Sequence, residues 1–165
     1  MTQTTPSQIK IVARNRRARY EYEILETYQA GLVLLGSEIK SIRDHRVSLG
    51  DGFVNERNDE LWLLNVHIAL YEQARQYGHS DPLRPRKLLL HKREIARIIQ
   101  RIRERGMTVI PTLMYLQRSR AKVEIAVSRG KRRYDKRQAI AERESRRQLQ
   151  RALKGGQRGS STRLE

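Results

Sequence analysis

The chain has no cysteine, so neither a disulfide framework nor a thiolate metal site can hold it together, and nothing points to an oxidising compartment. Aromatic residues are scarce, at 5% with a single Trp and a single Phe, and proline occurs four times in 165 residues. No stretch approaches the roughly 20 apolar residues that a membrane span requires. Residues 1–10 are polar and lack the apolar run of a secretory signal. These absences lead to the expectation of a cytoplasmic protein without a membrane partner. The four histidines, His45, His67, His79 and His91, lack metal-ligand spacing, and no HExxH, phosphate-binding glycine loop or nucleophile elbow is present. No catalytic residue, cofactor or metal is therefore expected. A magnesium nuclease assembled from Asp51, Asp81 and Glu38 is the one enzymatic alternative, and carboxylates so scattered in sequence serve more often as caps and surface charges.

Positive charge is abundant. The net charge is +17 with a sequence pI near 11.0, a field that attracts polyanions while saying little about fold. It is unevenly spread: residues 130–165 hold 12 of the 35 basic residues and only 4 of the 18 acidic ones. Three basic groups recur, at residues 14–19, 84–93 and 129–137, each beside a predicted loop. The densest is Gly130-Lys131-Arg132-Arg133-Tyr134-Asp135-Lys136-Arg137. A glycine hinge, clustered cations and one ring suit a nucleic-acid backbone and an unpaired base.

Hydrophobic periodicity supplies the fold. Residues 1–8 read as a flexible lead-in. Ile9 to Ala13 reads as a short strand, and Tyr20, Tyr22 and Ile24 alternate with polar neighbours as a second. Gly31 is expected to turn the chain so that Leu32–Leu35 runs back as a partner strand. Ser37 is the expected N-cap of a short helix through Arg43 that turns Lys40 and Arg43 outward. Asp44 to Gly52 reads as loop. Phe53–Arg57 and Leu61–Val66 form a hairpin about Asn58-Asp59, with Trp62 assigned to the core and Phe53 to a position where a base can stack. A loop over 78–85 leads into the run Arg86–Leu90. The clearest helix is His91–Arg105, with Ile95, Ile98, Ile99 and Ile102 on one face and Gly106 ending it. Val109–Leu116 and Ala121–Val127 make the last hairpin, edged or bulged at Pro111 because proline cannot donate to a ladder.

The sum is a mainly β chain with short helices: an antiparallel barrel of the oligonucleotide-binding kind over residues 9–129, followed by a basic C-terminal tail over 130–165. Within the tail, residues 138–153 combine strong helix formers with too little apolar surface to dock. They are expected to be disordered when free and helical on a polyanion.

Five segments carry a resemblance to a known family: NRRARYEYEI from Asn15, AGLVLLGSEIKSIR from Ala30, DPLRPRKLLLHKREI from Asp81, AKVEIAV from Ala121 and GKRRYDKR from Gly130. In this order and spacing they resemble SmpB, the partner of transfer-messenger RNA in bacterial ribosome rescue. The resemblance implies a non-enzymatic adaptor of trans-translation whose barrel holds the tRNA-like end of that RNA in the A site of stalled ribosomes. It implies RNA contacts at Asn15, Arg16, Arg17, Arg19, Lys40, Arg43 and Lys122, with Leu89 as structural support. Glu38 is carried with this group, either touching RNA or capping the short helix. It further implies that the tail enters the decoding centre and the empty mRNA channel through Gly130, Lys131, Arg132, Arg133, Tyr134, Asp135, Lys136, Arg137, Arg143, Arg147, Ala152 and Leu153. Elongation factor Tu joins through the charged RNA. Gln29, Phe53 and Tyr134 depart from residues common in relatives, and Ala152-Leu153 is smaller than the usual apolar pair. A general RNA chaperone on the same basic barrel is the competing reading.

Overall fold

A computed structural model describes residues 9–131 and 133–156, without the side chains of 75–77, 133–136 and 154–156. The expected lead-in at 1–8 and the last residues of the chain lie outside the described residues. The chain divides into two compact units, Met1–Gly130 and Lys131–Glu165.

In the first unit the strands are β1 (Ile9–Arg14), β2 (Tyr22–Leu32), β3 (Val47–Ser48), β4 (Phe53–Arg57), β5 (Glu60–Leu64), β6 (His67–Ile68), β7 (Arg86–Leu89), β8 (Met107–Gln117) and β9 (Arg120–Gly130). Its α-helices among the described residues are α1 (Ala18–Glu21), α2 (Gly36–Arg43) and α3 (Lys92–Arg103), and a 3-10 helix spans Glu72–Tyr77. The main sheet runs β1-β8-β4-β5-β7-β2-β9, and β8 also pairs with β9, so six antiparallel strands close on themselves. Closure removes the unpaired ladder edges that an open sheet would expose.

Strand β8 makes closure geometrically workable. One edge of it pairs with β9 from Met107 to Gln117, while the other meets β4 at Val109 and then β1 from Leu113 onward. The switch between partners falls where the register shifts, between Pro111 and Leu113. A residue without an N–H suits this break in the ladder, and the bulge expected from Pro111 is present. Gly52 packs against the same place. A Cβ there would stand 2.6 Å from Val66 Cγ2 and 2.8 Å from Pro111 Cγ, which only glycine avoids.

The barrel interior is filled by alternating residues, among them Val54, Leu61, Leu63, Leu88, Val109, Met114, Val123, Ile125 and Val127. Ile98 and Ile99 of α3 join this core, with Ile95 and Ile102 packed against it, as the helical spacing predicts. The helix opens one residue later than expected: His91 is its N-cap, and its backbone N–H donates to the Glu94 carboxylate at 3.1 Å. The β4–β5 turn is Asn58-Asp59, both left-handed at φ 52° and 59°, as two-residue hairpin turns require.

Four expectations need correction. Gly31 is no turn: β2 runs through it, pairing Gly31 with Lys122 on one side and Leu89 on the other. Its missing side chain serves close approach, since a Cβ would lie 3.3 Å from the Leu89 Cβ. Residues 18–21 form a helical turn rather than the start of a strand. The segment 44–52 is not all loop, because β3 pairs with β6. Trp62 is half-buried and lies opposite Asn55 and Lys87, outside the core cluster.

Among the described residues the second unit holds one helix, α4 (Arg133–Gly156), which includes the expected 138–153 segment and starts five residues earlier.

Gly52→Ala is expected to destabilise the barrel by roughly 1–3 kcal/mol, because Val66 and Pro111 must move to admit the methyl group. Urea denaturation with an unchanged m-value checks it.

Candidate nucleic-acid interface

Between β1 and β2 the chain folds back in a basic turn. Asn15 fixes it. Its backbone N–H donates to Thr112 O at 2.8 Å, and its side-chain Nδ2 donates to Pro111 O at 3.0 Å and Leu49 O at 3.3 Å. Its Oδ1 accepts from the Ala18 N–H at 3.2 Å. The amide therefore spends both donor hydrogens and an acceptor inside the protein. Ala18 is 1% exposed and packs with Ile110 and Ala126 on the outer face of the barrel, with Tyr22 and Ile24 beside it. This small second core seats α1, and Arg16, Arg17 and Arg19 are left exposed around it. Arg17 pairs with Glu21 at 3.0 Å across one helical turn. At 67% and 31% exposure such a pair is worth little. Arg16 and Arg19, with Arg14, border a depression of about 300 Å³ whose far wall holds Thr112 and Glu124.

A second surface is built by α2, β7 and β9. Lys40 and Arg43 are exposed on the outer face of α2, with Lys40 Nζ 5.2 Å from the centroid of the Tyr71 ring. Leu89 and Lys122 are brought together, lining a groove of about 430 Å³ with Gly31, Leu34, Leu35 and Ile39. Leu89 is 51% exposed. The expectation that it is structural support is thus corrected: it is an apolar wall at the surface, set there because Gly31 opposite leaves space. Lys40 and Arg43 are not part of this groove's lining.

In the second unit the side chains of Arg137, Arg143 and Arg147 are exposed, as are Ala152 and Leu153, the latter at 67%. Gly130 closes β9 opposite Tyr22, and Lys131 is half-buried. Arg132 and the side chains of Arg133, Tyr134, Asp135 and Lys136 lie outside the described residues.

Comparison with known proteins decides what this assembly belongs to. The family model described as "SmpB protein" matches residues 12–155. The chain belongs to the SmpB family. Curated relatives named "SsrA-binding protein" include that of Roseiflexus castenholzii, 57% identical over 145 residues, covering 88% of this chain and 92% of the relative. Those of Thermosynechococcus vestitus and Thermobifida fusca are 49% and 54% identical, again over 88% of this chain and over 96% and 90% of theirs. A solved chain described as "tmRNA-SmpB: a journey to the center of the bacterial ribosome" superposes with a TM-score of 0.63 at 44% identity, covering 78% of this chain and 93% of that one.

Within this SmpB-family fold, Glu38 takes the second of the two roles left open for it, that of a structural charge at the start of the short helix. It is 0% exposed. Oε1 accepts from Arg86 Nε at 2.9 Å and Arg84 Nε at 3.1 Å, and Oε2 accepts from Arg84 Nη2 at 2.6 Å and the Leu35 N–H at 2.9 Å. The last bond caps α2, a task the sequence assigned to Ser37. Ser37 instead faces His79: its Oγ lies 2.8 Å from Nδ1 and accepts the His79 backbone N–H at 2.9 Å. The other ring nitrogen, Nε2, lies 3.1 Å from Ile68 O, a carbonyl to which it donates. Sequence reasoning missed this buried pair, because two polar residues 42 positions apart leave no periodic signal.

Asn15, expected to touch RNA, also shapes the arginine turn through its internal hydrogen bonds. The three carboxylates of the nuclease alternative do not meet: Glu38 is paired inside, Asp81 caps the Leu83 N–H at 2.9 Å, and Asp51 is exposed. Among the described residues no group of three His, Cys, Asp or Glu side chains could hold a metal ion, and no helix is long and apolar enough to cross a membrane.

Burial acts to raise the pKa of the Glu38 carboxyl, and the hydrogen bonds from Arg84, the Leu35 N–H and Arg86 outweigh it, so the value falls below the ordinary one. A carboxyl lowered on folding contributes stability at neutral pH that disappears as pH falls through its folded value. Glu38→Gln is expected to cost roughly 3–5 kcal/mol near pH 7, by leaving Arg86 buried without its counter-charge. The difference from wild type should begin to narrow as pH falls below the ordinary carboxyl value of about 4.3, where the unfolded chain takes up the proton, and close only as pH falls through the lower folded value. Urea unfolding at several pH values checks both statements.

Proposed function

We propose that this chain is a non-enzymatic RNA-binding adaptor of trans-translation, binding the tRNA-like part of transfer-messenger RNA and acting with it at the stalled ribosome. The observation that carries this reading is the preorganised arginine turn at residues 16–19, in a chain whose relatives are named SsrA-binding proteins and whose solved relative is described with tmRNA at the bacterial ribosome. Exposed arginines on a scaffold locked by Asn15 and Ala18 supply phosphate contacts without a large ordering cost. The groove beside Leu89 and Lys122 adds an apolar wall and a cation where a folded RNA presents sugars and phosphates together. Lys40 and Arg43 extend the positive surface.

The tail takes the second part of the role, sensing the empty mRNA channel after the decoding centre is reached. Its described side chains from residue 137 to 153 are exposed except for Ala139, which is half-buried. An arginine-rich helix with so little apolar surface stays marginal until a polyanion neutralises its arginines. Elongation factor Tu enters through the charged RNA.

Recovery of the full chain from cells, followed by sequencing of the RNA retained, is the direct test. Transfer-messenger RNA should dominate. Comparable retention of unrelated structured RNAs points to the chaperone reading instead. Joint replacement of Arg16, Arg17 and Arg19 by Ala should weaken binding and flatten log K against log salt by about 0.7–0.9 for each phosphate that the protein no longer neutralises. Truncation after Gly130 should leave transfer-messenger RNA affinity within a few fold and abolish rescue of stalled ribosomes. Loss of binding on truncation contradicts this division of labour. In the free protein, amides of residues 138–153 should exchange rapidly with solvent, as for a fraying helix.

A further inference from the structure

One cleft on the barrel is not accounted for by phosphate contacts. It encloses about 340 Å³ between the basic turn and the loop that enters β4. That lies near the small end of the roughly 300–1,000 Å³ of small-ligand sites, room for one nucleoside and no more. Two half-buried rings, Tyr22 and Phe53, line it, and Ile110 contributes an apolar surface. Arg17 and the exposed carboxylate of Asp51 also line it.

The cleft is stiff. Gly52 cannot accept a side chain, and its N–H donates to Leu49 O at 3.0 Å. Asn15 Nδ2 donates to the same carbonyl from the opposite bank. The loop carrying Asp51 and the turn carrying Arg17 are thereby held at a fixed separation. Asp51 makes no hydrogen bond or ion pair among the described residues. A carboxylate with free acceptor capacity beside two rings has a clear chemical complement.

We infer that this cleft is a recognition site for a single unpaired guanine of the bound RNA, stacked on the Phe53 ring with its N1–H and N2–H donating to the Asp51 carboxylate. An ionised carboxylate only accepts hydrogen bonds. Of the four RNA bases, guanine alone presents two adjacent donors on its Watson–Crick edge. Adenine and cytosine place an acceptor beside their amino group, and uracil flanks its single N–H with two carbonyls. Phe53 supplies a face on which any base stacks, so the ring gives affinity and Asp51 gives the choice. Arg17, exposed at the margin and already beside Glu21, is placed for the phosphate of the same nucleotide. The site rests on the RNA-binding reading above and adds sequence discrimination to it.

Kethoxal, which modifies the N1 and N2 edge of unpaired guanines, tests this on the full chain bound at saturating concentration to transfer-messenger RNA and, separately, to ribosomes with that RNA. Wild type, Asp51→Asn, Phe53→Leu and, as a control on the exposed side of α3, Gln100→Ala are compared, with folding monitored by thermal melting. Wild type is expected to protect one guanine about tenfold or more, the discrimination a bidentate base contact provides. Asp51→Asn should restore its reactivity, Phe53→Leu should weaken protection in part, and Gln100→Ala should leave it intact. The RNA on which the guanine is found identifies its source. Protection unchanged by Asp51→Asn, or no protected guanine on either RNA while binding persists, overturns the guanine site alone. Failure of wild type to bind transfer-messenger RNA overturns the underlying reading instead.

Discussion

A buried carboxylate cross-ties parts of the fold that otherwise meet through the apolar core, at Ile42, Val66 and Leu88. Glu38 meets Arg86 with both side chains fully buried, and around the pair gather four separate pieces of chain. Arg86 Nη1 donates to Val66 O at 2.6 Å and Nη2 to Pro82 O at 3.0 Å, while Arg84 and the Leu35 N–H complete the carboxylate. The start of α2, the link between β5 and β6, the loop before β7 and β7 itself are thus cross-tied by one ion pair. Desolvating two charges is expensive, and such a pair adds less net stability than its short contacts suggest. Its effect is selective: any register of β7 that moves Arg86 away strands an unpaired charge in the core. Lys40, Arg43, Leu35 and Leu89 all sit on the pieces so fixed, and the second surface inherits its geometry from that tie.

The arginine turn is held by a smaller version of the same device. Asn15 contributes three side-chain hydrogen bonds and Ala18 a buried methyl group. Around them the cationic side chains stay in water, where their charge is not penalised. The two basic surfaces of this barrel are therefore divided between residues that hold and residues that are exposed. Asn15, Glu38 and Gly52 hold. Arg16, Arg19, Lys40 and Leu89 are presented to solvent. The departure at Phe53 belongs to this scheme, since a ring without a hydroxyl keeps its stacking face and needs no buried partner.

Legibility tracks the range of the forces involved. The β4–β5 hairpin, the α3 helix and the bulge at Pro111 are readable because each rests on a local rule: turn chemistry, a 3.6-residue stripe, a missing N–H. Gly31 misleads through the same kind of rule, since glycine signals a turn unless a neighbouring strand demands its absent side chain, and Leu89 lies 58 positions away in sequence. Leu32–Leu35 looks like a returning strand because four apolar residues in a row carry no direction. The helical turn at 18–21 is hidden by alternation at Tyr20, Tyr22 and Ile24. It forms because Ala18 finds Ile110 and Ala126 beneath it, which no short window contains.

The sequence by itself determined the charge of this protein, the closed antiparallel class of its barrel, its basic extension and its membership of the SmpB family, because these follow from composition, periodicity and ordered motifs. Tertiary structure alone decided which polar residues face solvent and which face one another. Asn15, Ser37, Glu38 and Arg86 each have a partner that no short window of sequence contains. Only when strands far apart in sequence close the barrel do they acquire partners. A buried hydrogen bond is favourable only with both ends in place, and both ends exist only in the folded state.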